Sequence, residues 1–484
     1  MDPYSLMDWR EGLDAGDLSA VFLAHRCLDR MNVLDPDLNA VAHVDPDLTL
    51  AAARAADARL ARGERTPLLG IPVVLKDNLA WAGTPTGNGS RITRGYTAPH
   101  DATVVARLLQ AGAVPVAKAA MDEFAMGSSG ETAAQGPARN PWDRTRVPGG
   151  SSSGSAVAVA AGYAPFALGS DTGGSVRLPA SFCNLTALRP TYGVLSRYGV
   201  TAMASSLDQV GPLAASARDL AAGLAVMAGV DPADATSRDL PGTGRLADLQ
   251  PADLRGLRIG LPAECFGEGL EAGVREAVEG ALAVLRDLGA RLVPVSLPHT
   301  PWAIDTYVLL NTAEVSSNLA RFDGVRYGAR VEAGGLDETL AATREAGFGT
   351  EAKRRILLGA FCLSRGYVEA FYVRAQKART LIAGDFEAAF REVDLLAAPV
   401  CPTPAFPLGD RTSDPLAMYL TDVFTVTPAL AGLPALALPA GFSGGLPVGL
   451  QLIGPALSDV NLLEAAHAFQ LSTGHHRQAP PLPC

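Results

Sequence analysis

An α/β fold, built on one large mixed, mostly parallel central sheet with helices on both faces, is predicted by three observations on this chain of 484 residues. Short apolar runs rich in Val, Ile, Leu and Ala alternate with longer segments of helical periodicity, the pattern of buried strands joined by crossover helices. Apolar residues make up 48% of the chain and charged ones 19%, enough for a large core and too few charges for a disordered chain. No linker interrupts the pattern, so one domain is expected over 1–484, in three stretches: 1–65, 66–215 and 216–484.

Taken in order, residues 5–65 put Leu18, Val21, Phe22 and His25 at helical spacing and turn rich in Ala and Arg at 48–62, which predicts an N-terminal helical layer. Ile71–Leu75 reads as a buried strand, Asp101–Gln110 as a helix and Val114–Ala117 as another strand. Between 119 and 215 lie Gly/Ser-rich loops that feed helices such as Ser155–Ala161. The last stretch predicts strand Leu257–Leu261, helix Gly269–Leu288, strand Arg291–Val295 and long helices over 302–322 and 350–391. Strands at Leu395–Ala398, Ala435–Leu438 and Gly449–Ile453 follow, with Asp459–Gln470 as a closing helix. The Gly/Pro-rich patches at 240–256 and 401–415 read as surface loops, and no solenoid repeat is visible.

The net charge of −10 disfavours a chain that holds nucleic acid by itself, because phosphate binding rests on clustered Lys and Arg. It leaves room for an RNA-handling complex in which another subunit supplies the basic face. Six scattered cysteines, at 27, 183, 265, 362, 401 and 484, show no C-x-x-C spacing and read as reduced packing residues rather than a disulfide or zinc framework. The start, Met1 to Arg10, lacks a signal-peptide pattern, and no apolar run is long enough for a bilayer, so a cytoplasmic, non-membrane protein is expected.

Only four of the forty basic residues are lysine: Lys76, Lys118, Lys353 and Lys377. Arginine holds its proton at physiological pH and lysine can lose one, so a lysine in the apolar run Gly70-Ile-Pro-Val-Val-Leu-Lys76 is a candidate general base. Lowering a Lys pKa from about 10.4 to about 7 costs roughly 4.6 kcal/mol, which desolvation can supply. The plainer alternative is a lysine whose stem lies on the core while its head reaches water.

Two Ser/Gly stretches follow, Gly149-Gly-Ser151-Ser-Ser-Gly154 and Asp171-Thr-Gly-Gly-Ser175, each beside an apolar segment, so a ligand-facing turn is expected in place of a flexible linker. Gly150-Ser-Ser152-Ser-Gly154 matches the G-x-S-x-G elbow with Ser152 as nucleophile, but Arg144 to Pro148 is a poor strand and no later histidine has a distinctive context. A phosphate loop is excluded more firmly, since no lysine follows the glycines. Ser175 is the better nucleophile, because backbone N–H groups of Thr172, Gly173 and Gly174 precede it and can form an oxyanion hole.

These residues resemble the amidase signature family, whose triad combines a lysine, a bridging serine in a cis peptide and a nucleophilic serine. Lys76, Ser151 and Ser175 match those roles in order and spacing, while Ser153 stands where relatives usually have glycine. The resemblance implies a single α/β/α domain and amide hydrolysis through an acyl-enzyme, with no metal and no cofactor in this chain.

Further motifs are similar to the glutamine-hydrolysing branch of that family, which serves tRNA-dependent amidation. They include Met121-Asp-Glu-Phe-Ala-Met-Gly127, Asn140-Pro-Trp-Asp143, Ser205-Ser-Leu-Asp-Gln-Val-Gly211, Ala313 to Gly324, Lys353-Arg-Arg-Ile-Leu-Leu-Gly359 and Asp422-Val-Phe-Thr-Val-Thr-Pro428. This resemblance implies Arg355 for the glutamine carboxylate, with Arg354 in reserve, Asp422 for the ammonium and Tyr307 lining the pocket. A solvated Arg354/Arg355 pair on a helix is the alternative reading. It also implies a heterotrimer in which a B subunit holds tRNA and uses ATP and Mg²⁺, and a small C subunit ties the two together. The alternatives are a stand-alone amidase acting on a small or hydrophobic carboxamide and a non-catalytic scaffold on the same fold.

Overall fold

A computed structural model describes residues 5–483; Met1–Tyr4, part of the start that lacks a signal pattern, and Cys484 lie outside the described residues. Helices α1 (Leu6–Ala15), α2 (Ala20–Leu38) and α3 (Pro46–Ala61) form the N-terminal layer, with the short strand β1 (Val41–His43) between the last two. Each starts on a side-chain cap, since Ser5, Ser19 and Asp45 accept from the backbone N–H three residues on.

The middle stretch contains β2 (Pro72–Lys76), α4 (Thr103–Gln110), β3 (Val114–Ala119), α5 (Ser153–Ala160), β4 (Phe166–Asp171), α6 (Arg177–Cys183), β5 (Thr186–Arg189), β6 (Gln209–Ala214) and α7 (Ala217–Met227). The last stretch contains β7 (Arg258–Pro262), α8 (Ala272–Asp287), β8 (Arg291–Val295), α9 (Ala303–Asn318), α10 (Leu336–Gly347), α11 (Thr350–Cys362) and α12 (Arg374–Ala389). It closes with β9 (Leu395–Pro399), α13 (Pro415–Tyr419), α14 (Val426–Leu430), β10 (Ala435–Ser443), β11 (Leu446–Ile453) and α15 (Asp459–Ser472).

The eleven strands of the described residues join one sheet in the order β1-β3-β2-β4-β6-β5-β10-β11-β9-β7-β8. The α/β class is as expected, but the sheet is not mostly parallel. Only β2–β3, β2–β4, β7–β8 and β7–β9 pair in parallel, and the other six ladders are antiparallel. The reason lies in short returns such as the β10–β11 hairpin, whose turn residues Gly444 and Gly445 both have positive φ and match the twist of the strands. The helix expected over 350–391 is broken as well: α11 stops at Cys362, Gly366 takes φ +89°, and a π-helical turn over Glu369–Val373 precedes α12.

Every residue of β2, β3, β4, β5, β6 and β9 is buried, so none of these strands alternates between a buried and an exposed face. A second apolar cluster joins α9, α12 and strand β9 of the sheet through Tyr307, Leu310, Ile382, Phe386 and Leu396. Cys27, Cys183, Cys265, Cys362 and Cys401 are buried and free, and burial pushes the thiols of Cys27 and Cys265 up to about 12. No helix of the described residues is long and apolar enough to cross a membrane.

Candidate active site

Parallel pairing of β2 with β4 sets the geometry of the site. Leu75 lies opposite Leu168, so Lys76, the last residue of β2, reaches the end of β4 at Ser170. Helix α5 packs against both strands and brings Ser151 and Ser152 at its start to the same place. The loop 172–175, which holds the candidate nucleophile Ser175, leaves β4 directly. Three separate segments therefore converge at the carboxyl ends of two neighbouring parallel strands, a position open α/β sheets use for ligands.

Lys76 Nζ lies 2.7 Å from Ser151 Oγ, 2.9 Å from Ser152 Oγ, 3.0 Å from Ser170 Oγ and 3.3 Å from Ser170 O. All four neighbours are neutral oxygens, so nothing in contact balances a positive charge. Burial lowers the amine to about 7, although the more distant carboxylates of Asp122, Asp171 and Asp208 oppose the shift. A neutral amine donates to two of these oxygens and keeps a lone pair for the Ser151 hydroxyl. The alternative of a lysine reaching water is ruled out by its complete burial.

The Gly150–Ser151 peptide is cis. Residue 150 must be glycine by close approach, because a Cβ there would sit 2.0 Å from Asp122 Oδ2 and 2.8 Å from Ser129 N. Asp122 is itself held by Gly130 N–H at 2.9 Å and Thr132 N–H at 3.0 Å. Ser153 fits beside Gly130, where a Cβ on the glycine would come within 2.6 Å of the serine Cβ. Ser152 is no elbow nucleophile. No strand leads directly into it, and its buried hydroxyl donates to Ser170 O at 3.1 Å.

Ser175 is 8% exposed, and its carbonyl accepts from Ser152 N at 3.1 Å, which ties the two serine segments together. Its hydroxyl makes no hydrogen bond among the described residues, so the Ser151 to Ser175 link is not formed in this structure. Contacts of this kind are often long in a free enzyme and tighten with substrate. The N–H groups of Gly173, Gly174 and Ser175 donate to no protein acceptor among the described residues. They are available to an oxyanion.

The loop is braced from below. Asp171 takes two bonds from Arg177, both 3.0 Å, and one at 3.1 Å from Arg189, with all three side chains fully buried. Burial alone would raise Asp171, but the two guanidinium groups outweigh it and hold the carboxyl at about 2. Thr172 Oγ1 donates to Asp208 at 2.7 Å.

Tyr307 and Asp422 flank the same loop. A Cβ on Gly173 would meet the Tyr307 hydroxyl at 2.9 Å, and one on Gly174 would meet Thr425 Oγ1 at 2.3 Å and Asp422 Oδ1 at 2.9 Å. Burial raises Asp422 to about 7 despite a hydrogen bond from Ser128 Oγ. Of the two adjacent arginines, Arg355 is buried at 4% exposure while 40% of the Arg354 side chain is open. Arg355 Nε donates to Glu351 at 2.7 Å, Nη1 donates to Asn311 Oδ1 at 3.1 Å, and the guanidinium lies 5.3 Å from the Tyr419 ring centre. Both arginines line a cavity of about 360 Å³ with Ser129, Glu351 and Tyr419.

Several of these residues carry no sequence signal. Ser128, Glu351 and Asn311 are common polar types far apart in the chain, and only folding makes them neighbours. The buried Lys118–Asp77 pair at 3.4 Å lies in no motif either, although its position beside Lys76 in the paired strands β2 and β3 follows once Leu75 is set opposite Lys118. Among the described residues no group of three or more His, Cys, Asp or Glu side chains is placed to hold a metal ion.

Comparison with known proteins agrees with this geometry. The family model described as Amidase matches residues 23–463. The chain is 55% identical over 471 residues to the A subunit of the glutamyl-tRNA(Gln) amidotransferase of Chloroflexus aurantiacus, covering 97% of this chain and 96% of that one. It is 52% identical to the protein of the same name from Carboxydothermus hydrogenoformans, covering 98% of each. Among solved structures it resembles the corresponding protein of Thermotoga maritima, with a TM-score of 0.78, 39% identity and coverage of 95% and 93%. The peptide amidase of Stenotrophomonas maltophilia superposes at a TM-score of 0.82, with 34% identity and coverage of 97% and 96%. A family match over most of the chain, together with relatives of this identity and length, identifies the chain as a member of the amidase family.

Proposed function

We propose that this chain is the glutaminase component of a tRNA-dependent amidotransferase, hydrolysing glutamine to glutamate and ammonia. The observation that carries the reading is a buried amine, readily deprotonated, in contact with Ser151, together with a buried guanidinium, Arg355, and a buried carboxylate, Asp422, near Tyr307 at the 172–175 loop. Free glutamine needs both, because neither of its charges is cheaply desolvated unpaired.

Lys76 takes a proton through Ser151 from Ser175, whose oxygen attacks the carboxamide carbon. The N–H groups of the 172–175 loop stabilise the oxyanion, and the relay returns a proton to the departing ammonia. Water then cleaves the acyl-enzyme. Arg355 holds the carboxylate, Asp422 the ammonium, and Tyr307 forms the wall between them and the nucleophile loop.

The chain works as one domain in a cytoplasmic heterotrimer. Ammonia passes to a B subunit that binds tRNA and uses ATP and Mg²⁺ to amidate Glu-tRNA(Gln), Asp-tRNA(Asn) or both, and a C subunit joins the two. The acidic balance of this chain suits a component that leaves tRNA to its partner. Stand-alone amide hydrolysis is the weaker reading, since the chain is 55% identical to an amidotransferase A subunit and 34% identical to the peptide amidase.

Ser175→Ala in the assembled complex separates them. Glutamine-dependent amidation is lost and amidation with added ammonium chloride persists. If both disappear, or if purified wild-type chain hydrolyses only hydrophobic amides, the glutaminase reading fails.

A further inference from the structure

Asn78 follows Lys76 by two residues and is 3% exposed, and its backbone carbonyl accepts from Thr201 N at 2.9 Å, which fixes the root of the side chain. Its Nδ2 stands 3.0 Å from Ser170 Oγ, while its Oδ1 is buried and has no partner among the described residues. The relay of Lys76, Ser151 and Ser175 leaves this amide unused. A buried polar atom without a partner is rare in proteins and calls for a specific explanation.

The hydrogens around Lys76 Nζ supply one. A neutral amine has two hydrogens to give and one lone pair to receive. Ser152 Oγ accepts from Ser170 N at 3.3 Å and donates to Ser170 O at 3.1 Å, so toward Lys76 it can only accept, and it takes one of the two hydrogens. The other hydrogen and the lone pair are left facing Ser151 Oγ at 2.7 Å and Ser170 Oγ at 3.0 Å. If Ser170 turns its own hydrogen to the amine, the lone pair is filled, Ser151 can only accept, and the relay is blocked. If Ser170 accepts instead, the lone pair faces Ser151.

Ser170 is free to accept only when its own hydrogen has another acceptor. Among the described residues Asn78 is the other side chain in hydrogen-bonding contact with that hydroxyl. With Nδ2 toward Ser170 the hydrogen finds no acceptor there. Turning the amide over moves no heavy atom, leaves one end of it unpaired as before, and sets Oδ1 where it accepts that hydrogen.

We infer that Asn78 is a positioning residue, whose Oδ1 accepts the Ser170 hydrogen so that Ser170 accepts from Lys76 and the lone pair of the amine is kept for Ser151. This rests on the proposed relay and extends it beyond the triad.

Steady-state kinetics of the assembled enzyme on glutamine, with Asn78→Ala and with Asn78→Ala/Ser170→Ala, tests this. In Asn78→Ala the Ser170 hydrogen is left to the amine, so kcat falls roughly 100-fold, the lower end of what a general base contributes, while KM stays within about twofold. Deleting the Ser170 hydroxyl as well removes the competitor, and Ser170 O, 3.3 Å from Nζ, still takes a hydrogen. The double variant therefore recovers kcat by at least about 10-fold over Asn78→Ala. A residue that only filled space would give the opposite order, because the second deletion would add a second defect. The inference is overturned if Asn78→Ala keeps the wild-type kcat, or if the double variant is no faster than Asn78→Ala. Wild-type turnover in Lys76→Arg instead removes the relay itself, and this inference with it; an inactive Lys76→Arg beside a double variant that does not recover removes only the part given to Asn78.

Discussion

Among the described residues a protonated Lys76 has polar contact with the oxygens of Ser151, Ser152 and Ser170 and with no carboxylate. Bringing its pKa from 10.5 to about 7 makes the charged form cost the fold on the order of 5 kcal/mol. The sign is that of a depressed base: the burden is full below pH 7 and fades as pH rises toward the unfolded value. Lys76→Arg keeps that charge at every pH, so glutaminase activity falls roughly 1000-fold or more; turnover near wild type would take Lys76 out of the reaction. Asp422, raised to about 7, must be ionised where Lys76 must be neutral, so both requirements are met only on the alkaline side. A profile of kcat/KM for glutamine therefore rises through pH 7 with a slope approaching two protons, and a flat profile between about pH 6 and 8 contradicts the assignment of both groups. At this scale the sequence is most informative, since lysine is scarce and the serine stretches are conspicuous. The choice between Arg354 and Arg355 is not legible there, because neighbouring residues on a helix differ only in the direction they face.

The elements that carry the nucleophile depend on the buried group of Asp171, Arg177 and Arg189 more than on local propensity. Asp171→Asn leaves two guanidinium groups without their counter-charge, and breaking a buried pair in this way costs about 3–5 kcal/mol. Chemical denaturation of this variant shows a lower midpoint; an unchanged midpoint would mean that solvent reaches these arginines. Strands β7, β8 and β9 are legible as apolar runs, whereas β4, β5 and β6 lack a clear outline, because Ser170, Asp171, Arg189 and Gln209 put polar groups at their ends. Parallel and antiparallel pairing are indistinguishable for a related reason: strands buried on both faces show no alternation. The hairpin is written more openly, in Gly444-Gly445 between two apolar runs, a turn signal.

Across the whole molecule, Lys76 ends a strand of the one sheet and both serine segments meet it there, while Arg355, the cation proposed for substrate, stands on α11 and Asp422 on the turn after α13. On the proposed assignment chemistry and selectivity come from different layers, consistent with a peptide amidase that shares the fold at 34% identity. The N-terminal layer, the single sheet and the site loops are all foreseeable from pattern; the pocket is not, because its polar members meet only through long-range packing. The buried sulfurs have a use of their own. With Cys27 and Cys265 at about 12, fewer than about one thiol in a thousand is nucleophilic at pH 8, and the fold shields even those. Iodoacetamide should therefore label these two positions only in molecules that have opened, so mass spectrometry after timed alkylation becomes a clock for global unfolding, and rapid labelling of the native enzyme would refute that shielding.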